Sequence, residues 1–162
     1  NEKALEDYNV AISKKPSAEY YINRGAAYAR LGRMPEAMND FSKGLELDPK
    51  WKVGYLNRAI TYQAMGDFQH SFEDMDAYLK LDPFEPDMWY EAGRCLRAIN
   101  RVADAIPYYS EAIRLNPRHG LAYLERGRTY QSLGNMEAAQ ADLEKARSLG
   151  QNVQPENPMM QK

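Results

Sequence analysis

The sequence predicts an all-α solenoid of repeated helical hairpins, and three observations predict it. Gly25, Ala59, Gly93 and Gly127 recur every 34 residues without a slip, and self-similarity at such a period marks a stacked repeat array. The same offset carries Tyr21, Tyr55, Trp89 and Tyr123, then Tyr28, Tyr62, Leu96 and Tyr130, then Ala37, Ser71, Ala105 and Ala139, then Phe41, Met75, Tyr109 and Leu143. Within each unit these positions fall three and four apart, one face of a helix, twice over. Between the two faces stand Gly32, Gly66, Asn100 and Gly134, the residue types that accept a left-handed backbone just after a helix end.

Taken in chain order, residues 1–16 carry Ala4, Tyr8, Ala11 and Pro16, the pattern of a second half-unit, so the chain is expected to open in mid-repeat with native sequence upstream. Full repeats follow at 17–51, 52–85, 86–119 and 120–149. The first three close on Leu47-Asp48-Pro49, Leu81-Asp82-Pro83 and Leu115-Asn116-Pro117, and the fourth lacks its proline and runs out at Gly150. Glycine or alanine at 25, 59, 93 and 127, facing alanine or serine at 37, 71, 105 and 139, lets paired helices approach closely. The third repeat departs most: Asn100 replaces glycine, and Pro107 falls inside the second helix, where it removes a backbone donor and is expected to bend or delay that helix. Tyr108 and Tyr109 are expected to be exposed there, beside Arg94 and Arg97. Residues 150–162, with Pro155 and Pro158 among Gln and Asn, read as a flexible tail that folds back over Leu143 and Leu149 or leaves that end to other cover.

Two further columns are gained and lost together. Arg24, Arg58 and Arg126 lie on first helices, Asp40, Asp74 and Asp142 on second helices, and the third repeat has Ala92 and Tyr108 instead. A buried guanidinium needs a carboxylate, so the columns are expected to form structural ion pairs.

These residues resemble the tetratricopeptide-repeat family, whose 34-residue pattern runs W-x2-L-G-x2-Y, A-x3-F, P. The resemblance covers residues 2–149, and its one systematic departure is arginine where the family has leucine before the glycine. It implies a right-handed α-solenoid whose first helices line a concave face, with the residues one and two places after each aromatic slot pointing into it. Those are Ile22, Leu56, Tyr90 and Leu124, beside Asn23, Asn57, Glu91 and Glu125; one turn on come Ala26, Ile60, Arg94 and Arg128, then Ala29, Gln63, Arg97 and Gln131. The implied peptide-binding set is therefore Ile22, Asn23, Ala26, Leu56, Asn57, Ile60, Tyr90, Arg94, Arg97, Leu124 and Arg128. It is apolar with two asparagines toward the N-terminus and charged toward the C-terminus.

The implied role is a scaffold that holds an extended polypeptide, since an asparagine amide offers donor and acceptor to a peptide backbone. Asn23 and Asn57 match the asparagine ladder in the repeat arm of O-linked N-acetylglucosamine transferases, but Glu91 and Glu125 interrupt it. The co-chaperone members that clamp a C-terminal carboxylate need basic or amide groups where this chain has Ile22, Ala26, Asp87 and Glu91, and only Asn57 survives. Two alternatives stand beside the scaffold: a substrate-recruiting arm of a larger enzyme, and a module that self-associates end to end through uncapped repeats.

Composition narrows the rest. A net charge of −2 supplies no field for phosphate backbones, so nucleic acid is not expected. No apolar stretch approaches the roughly 20 residues that cross a bilayer, so no direct membrane contact is expected from this segment. Cys95 is the single cysteine, which excludes an internal disulfide and a multi-thiolate metal site. His70 and His119, the only histidines, are expected at the surface and lack metal-ligand spacing. The glycines are accounted for by turns and close packing, so no cofactor, metal or catalytic residue is expected. Nothing in the composition assigns a compartment.

Overall fold

A computed structural model describes residues 2–153. All regular structure among them is helical: α1 (Glu2–Lys14), α2 (Ala18–Arg30), α3 (Met34–Leu47), α4 (Lys52–Ala64), α5 (Phe68–Leu81), α6 (Pro86–Ala98), α7 (Ala105–Leu115), α8 (Gly120–Ser132) and α9 (Met136–Ser148). The fold class is the expected one. The chain forms two compact units that divide between Phe84 and Glu85. In the first, α1 packs on α2, the hairpins α2/α3 and α4/α5 close on themselves, and α2 lies beside α4. The second has hairpins α6/α7 and α8/α9, with α6 beside α8.

The hairpin turns repeat one hydrogen-bonded closure. Gly32, Gly66, Asn100 and Gly134 have φ of 75°, 78°, 63° and 79°. The N–H after each reaches back five residues to a helix carbonyl: Arg33 to Tyr28 at 3.0 Å, Asp67 to Tyr62 at 2.9 Å, Arg101 to Leu96 at 2.8 Å and Asn135 to Tyr130 at 2.9 Å. This is the Schellman closure, and it requires the left-handed residue. Asn100 is the one non-glycine with positive φ among the described residues. The Leu-Asp-Pro and Leu-Asn-Pro turns use side chains as well as backbone bonds. Asp48 accepts from the Lys50 N–H at 2.9 Å, Asp82 from Phe84 at 3.3 Å and Asn116 from Arg118 at 3.0 Å, so these acids and the amide belong to turn chemistry.

The small column sets how closely each hairpin closes. A Cβ on Gly25 would stand 2.8 Å from the Phe41 ring, and one on Gly93 would stand 2.7 Å from Tyr109. In the second repeat the same two slots hold Ala59 and Met75, both buried. Ring faces glycine, and the adaptable thioether goes with alanine.

The third repeat departs in ways its sequence explains. On the 34-residue period of Met34, Phe68 and Met136, α7 should start at Val102; it starts at Ala105. Pro107 thus sits in the first turn, where a missing N–H costs nothing, and the helix is delayed. Two expectations fail nearby. Tyr109 is fully buried, not exposed, because it fills the core slot of Phe41. His119 is also buried, because it caps α8: its Nδ1 accepts the Ala122 N–H at 3.1 Å, and Tyr90 covers its ring at 5.0 Å. Its Nε2 lies 3.1 Å from Asp87, yet off the line that a hydrogen bond requires.

After α9, Gly150 (φ 86°) reverses the chain and the Gln151 N–H bonds to Ala146 at 3.0 Å. The Gln151 side chain fills the space beside Gly120, at the start of α8. The rest of the expected tail, with Pro155 and Pro158, lies outside the described residues.

At the start of α5, Asp67 accepts both the His70 N–H at 3.1 Å and its Nδ1–H at 2.7 Å. The side-chain hydrogen bond to Asp67, with its charge, raises the imidazole pKa, and the His70 bonds lower the carboxyl's. A raised histidine pKa contributes stability below its unfolded value that is lost as pH rises through the folded one; the lowered aspartate contributes above its unfolded value and loses it in acid. NMR titration should place His70 above the ordinary value near ~6.5, and Asp67→Asn should return it there.

Candidate peptide-binding faces

Each candidate face rests on a first helix held by an arginine. Arg24 donates from Nε and Nη2 to both oxygens of Asp40 at 2.7 Å; Arg58 does so to Asp74 at 2.8 and 2.7 Å, and Arg126 to Asp142 at 2.7 and 2.8 Å. The aspartates are buried. Hydrogen bonding to the aspartate raises each guanidinium pKa, outweighing the desolvation that lowers it. Each Nη1 makes a third bond into the preceding second helix: Arg24 to Asn9 at 2.6 Å, Arg58 to Ser42 at 3.2 Å, Arg126 to Ser110 at 2.9 Å. One side chain therefore ties three helices, a role the sequence reading missed although Ser42 and Ser110 stand two 34-residue steps apart. Tyrosines flank the guanidiniums, Tyr21 and Tyr28 at 5.5 and 5.8 Å from Arg24 and Tyr123 and Tyr130 at 5.8 and 5.9 Å from Arg126. Where the pair is missing, Ala92 is fully buried and Trp89 packs on Tyr108 with centroids 5.5 Å apart.

In the first unit the face is made by α2 and α4. A cavity of about 170 Å³ opens there, lined by Ala26, Ala29, Arg30, Phe41, Asn57, Ile60 and Thr61. Ile60 is 52% exposed; Asn23, Leu56 and Asn57 are half-buried. Among the described residues the Asn23 and Asn57 side-chain amides have no hydrogen-bond partner within the protein. Ile22 is a correction. It is 1% exposed and belongs to the core with Phe41 and Leu45, because Gly44 and Gly54 leave room for its side chain, which lies 2.6 and 2.8 Å from where their Cβ atoms would be.

In the second unit α6 and α8 bring Arg94, Arg97, Glu125 and Arg128 around an open cavity of about 340 Å³, with Ala98 and Tyr109 completing its wall. Arg94 pairs with Glu91 at 3.0 Å, Arg128 with Glu125 at 2.9 Å, and Arg97 also pairs with Glu125. Tyr90 is half-buried against Tyr109 and His119, and its ring lies 5.9 Å from the Arg94 guanidinium. Leu124 is the second correction: at 6% exposure it is core and not part of the face. Tyr109, absent from the expected set, contributes a buried hydroxyl with no partner in the protein. No helix among the described residues is long and apolar enough to cross a membrane, and none of their His, Cys, Asp and Glu side chains cluster as a metal site.

Comparison with known proteins agrees with the repeat geometry. Three family models described as tetratricopeptide repeat match residues 18–50, 56–120 and 121–149. Among curated proteins, the Hsp70-Hsp90 organizing protein of Triticum aestivum is 46% identical over 54 residues, 33% of this chain and 9% of that protein. The UDP-N-acetylglucosamine--peptide N-acetylglucosaminyltransferase of Giardia intestinalis is 48% identical over 50 residues, 30% of this chain and 3% of that protein. The matches thus span a tenth or less of those relatives. Among solved structures, MamA from Desulfovibrio magneticus superposes with a TM-score of 0.81 at 19% identity, over 92% of this chain and 85% of that one, a likeness of fold.

Proposed function

Because the chain belongs to the tetratricopeptide-repeat family and is in that coarse sense a protein-interaction scaffold, we propose that it holds an extended polypeptide along its first-helix faces. The observation that carries this reading is the pair of half-buried amides, Asn23 and Asn57, on neighbouring helices with no partner inside the protein. Neither amide is sealed from solvent, so water serves each in the free protein, and a peptide backbone can take its place because it supplies both a donor and an acceptor. Exposed Ile60 beside Ala26 gives that backbone an apolar floor.

The organizing-protein similarity suggests a chaperone tail as the occupant, but the clamp positions argue otherwise. Ile22 is core, Ala26 has no polar group, and Asp87 and Glu91 carry the wrong charge. A second reading, a substrate-recruiting arm of a larger enzyme, has the Giardia transferase match in its favour and uses the same amides.

Photo-crosslinkers placed at Ile60 and at Arg94 should each capture partner protein from an extract, and crosslinkers at the exposed Val10 and Glu46 should not. Asn23→Ala/Asn57→Ala should weaken capture about tenfold, the sum of two ordinary hydrogen bonds. Capture only from Val10 or Glu46 would overturn the reading.

A further inference from the structure

We propose that the second unit carries a carboxylate-binding pocket, in which Arg94, Arg97 and Arg128, with the Tyr109 hydroxyl beneath them, take a carboxylate of the bound polypeptide; this rests on the polypeptide reading above. Three guanidiniums gather around one open cavity with two carboxylates, Glu91 and Glu125, already paired to them. One positive charge is left over. A monoanion balances it, whereas a dianionic phosphoryl group would leave the pocket negative. Each guanidinium has five donors in a planar fork, and Arg94 and Arg128 spend only Nη1 on Glu91 and Glu125.

The second observation is independent of charge. Tyr109 is fully buried, lines this cavity, and its hydroxyl has no hydrogen-bond partner. A donor left so in a core is expensive, and Phe41 fills the same slot of the first repeat without one. Burial, and after it the charge of Glu125, pushes the phenol pKa up, so the group stays protonated and able to donate. The hydroxyl is sealed at present. A ligand oxygen therefore needs a rotamer change in the cavity wall, where Arg97 and Glu125 are 23% and 18% exposed. The pocket is not the co-chaperone clamp, whose positions hold Asp87 and Glu91 here.

The test follows the arginine Nε–H resonances of the full chain during titration with sodium acetate, against sodium chloride at equal ionic strength. Saturable acetate shifts confined to Arg94, Arg97 and Arg128 are expected, with apparent affinity about tenfold weaker in Tyr109→Phe, the loss of one hydrogen bond to a charged group. If that variant fails to fold, Arg94→Gln, at an exposed position, carries the same expectation. Equal shifts with chloride, shifts spread to Arg33 and Arg114, or unaltered affinity in the variants would overturn the proposal. So would methyl phosphate binding tighter than acetate. A parallel arm compares amidated twelve-residue peptides with degenerate flanks and a central Glu or Gln, and an acid-free set with a free C-terminus. Preference for Glu assigns the carboxylate to a side chain, preference for the free end assigns it to a chain terminus, and indifference to both overturns the proposal. If no peptide binds while acetate still saturates, the pocket stands and the polypeptide reading falls.

Discussion

Replacing Arg58 with Met is expected to destabilise the first unit by about 3 kcal/mol, the low end of what breaking a buried ion pair costs when one charge is left behind. Methionine keeps much of the apolar stem, so the loss is electrostatic. The Asp74 side chain is 7% exposed and both its oxygens are engaged by Arg58; without the guanidinium they face neither water nor a donor. The Ser42 hydroxyl loses its donor from Arg58 as well. The double variant Arg58→Met/Asp74→Leu should recover most of the loss, since an apolar replacement of both partners leaves nothing unsatisfied. The third repeat already shows such a replacement, with buried Ala92 and the Trp89–Tyr108 contact. Repeat arrays unfold in parts, so the measurement is native-state hydrogen exchange of α4 and α5 amides. A loss below about 1 kcal/mol, the scale of a surface pair, would show that the staple is dispensable.

The paired columns were legible because both partners recur. The column of Arg24, Arg58 and Arg126 and that of Asp40, Asp74 and Asp142 break at the same repeat, and the left-handed turn residues at 32, 66, 100 and 134 announce themselves by type. Period alone could not place residues whose surroundings do not repeat. Ile22 looked like a face residue because its column also holds Leu56, Tyr90 and Leu124. Its burial is decided by Gly44 and Gly54, and neither belongs to the recurring glycine column. His119 reads as a turn residue, and its burial follows from capping α8 beneath Tyr90, a contact between columns that the self-alignment never brings together. Tyr109 carries two conflicting signals: beside Pro107 and Tyr108 it looks like part of an exposed pair, whereas its period slot is that of Phe41 in the core, and burial there leaves its hydroxyl as the one atom that distinguishes the two side chains.

Phe41→Ala should be the other large loss, about 3–5 kcal/mol, as for other buried aromatic truncations. Phe41 is fully buried, and its ring lies where a Cβ on Gly25 would go, so truncation empties the contact that closes α2 on α3. Filling the space from the other side tests whether the two positions form one packing unit. Gly25→Ala alone forces its Cβ to within 2.8 Å of the ring and 3.1 Å of the Ala37 carbonyl. That overpacking is expected to cost about 1–3 kcal/mol, part of it offset by about 1 kcal/mol from alanine's better helix propensity. The double variant Gly25→Ala/Phe41→Met recreates in the first repeat the combination that Ala59 and Met75 make in the second. A thioether bends around a methyl group where a rigid ring cannot, so this pair should cost less than about 1.5 kcal/mol, within the range of volume-conserving swaps. Native-state hydrogen exchange of α2 and α3 amides in the wild type, Gly25→Ala, Phe41→Met and the double variant would decide it. Strict additivity of Gly25→Ala and Phe41→Met would mean that the columns vary independently, and that ring against glycine in one repeat and thioether against alanine in the next is coincidence.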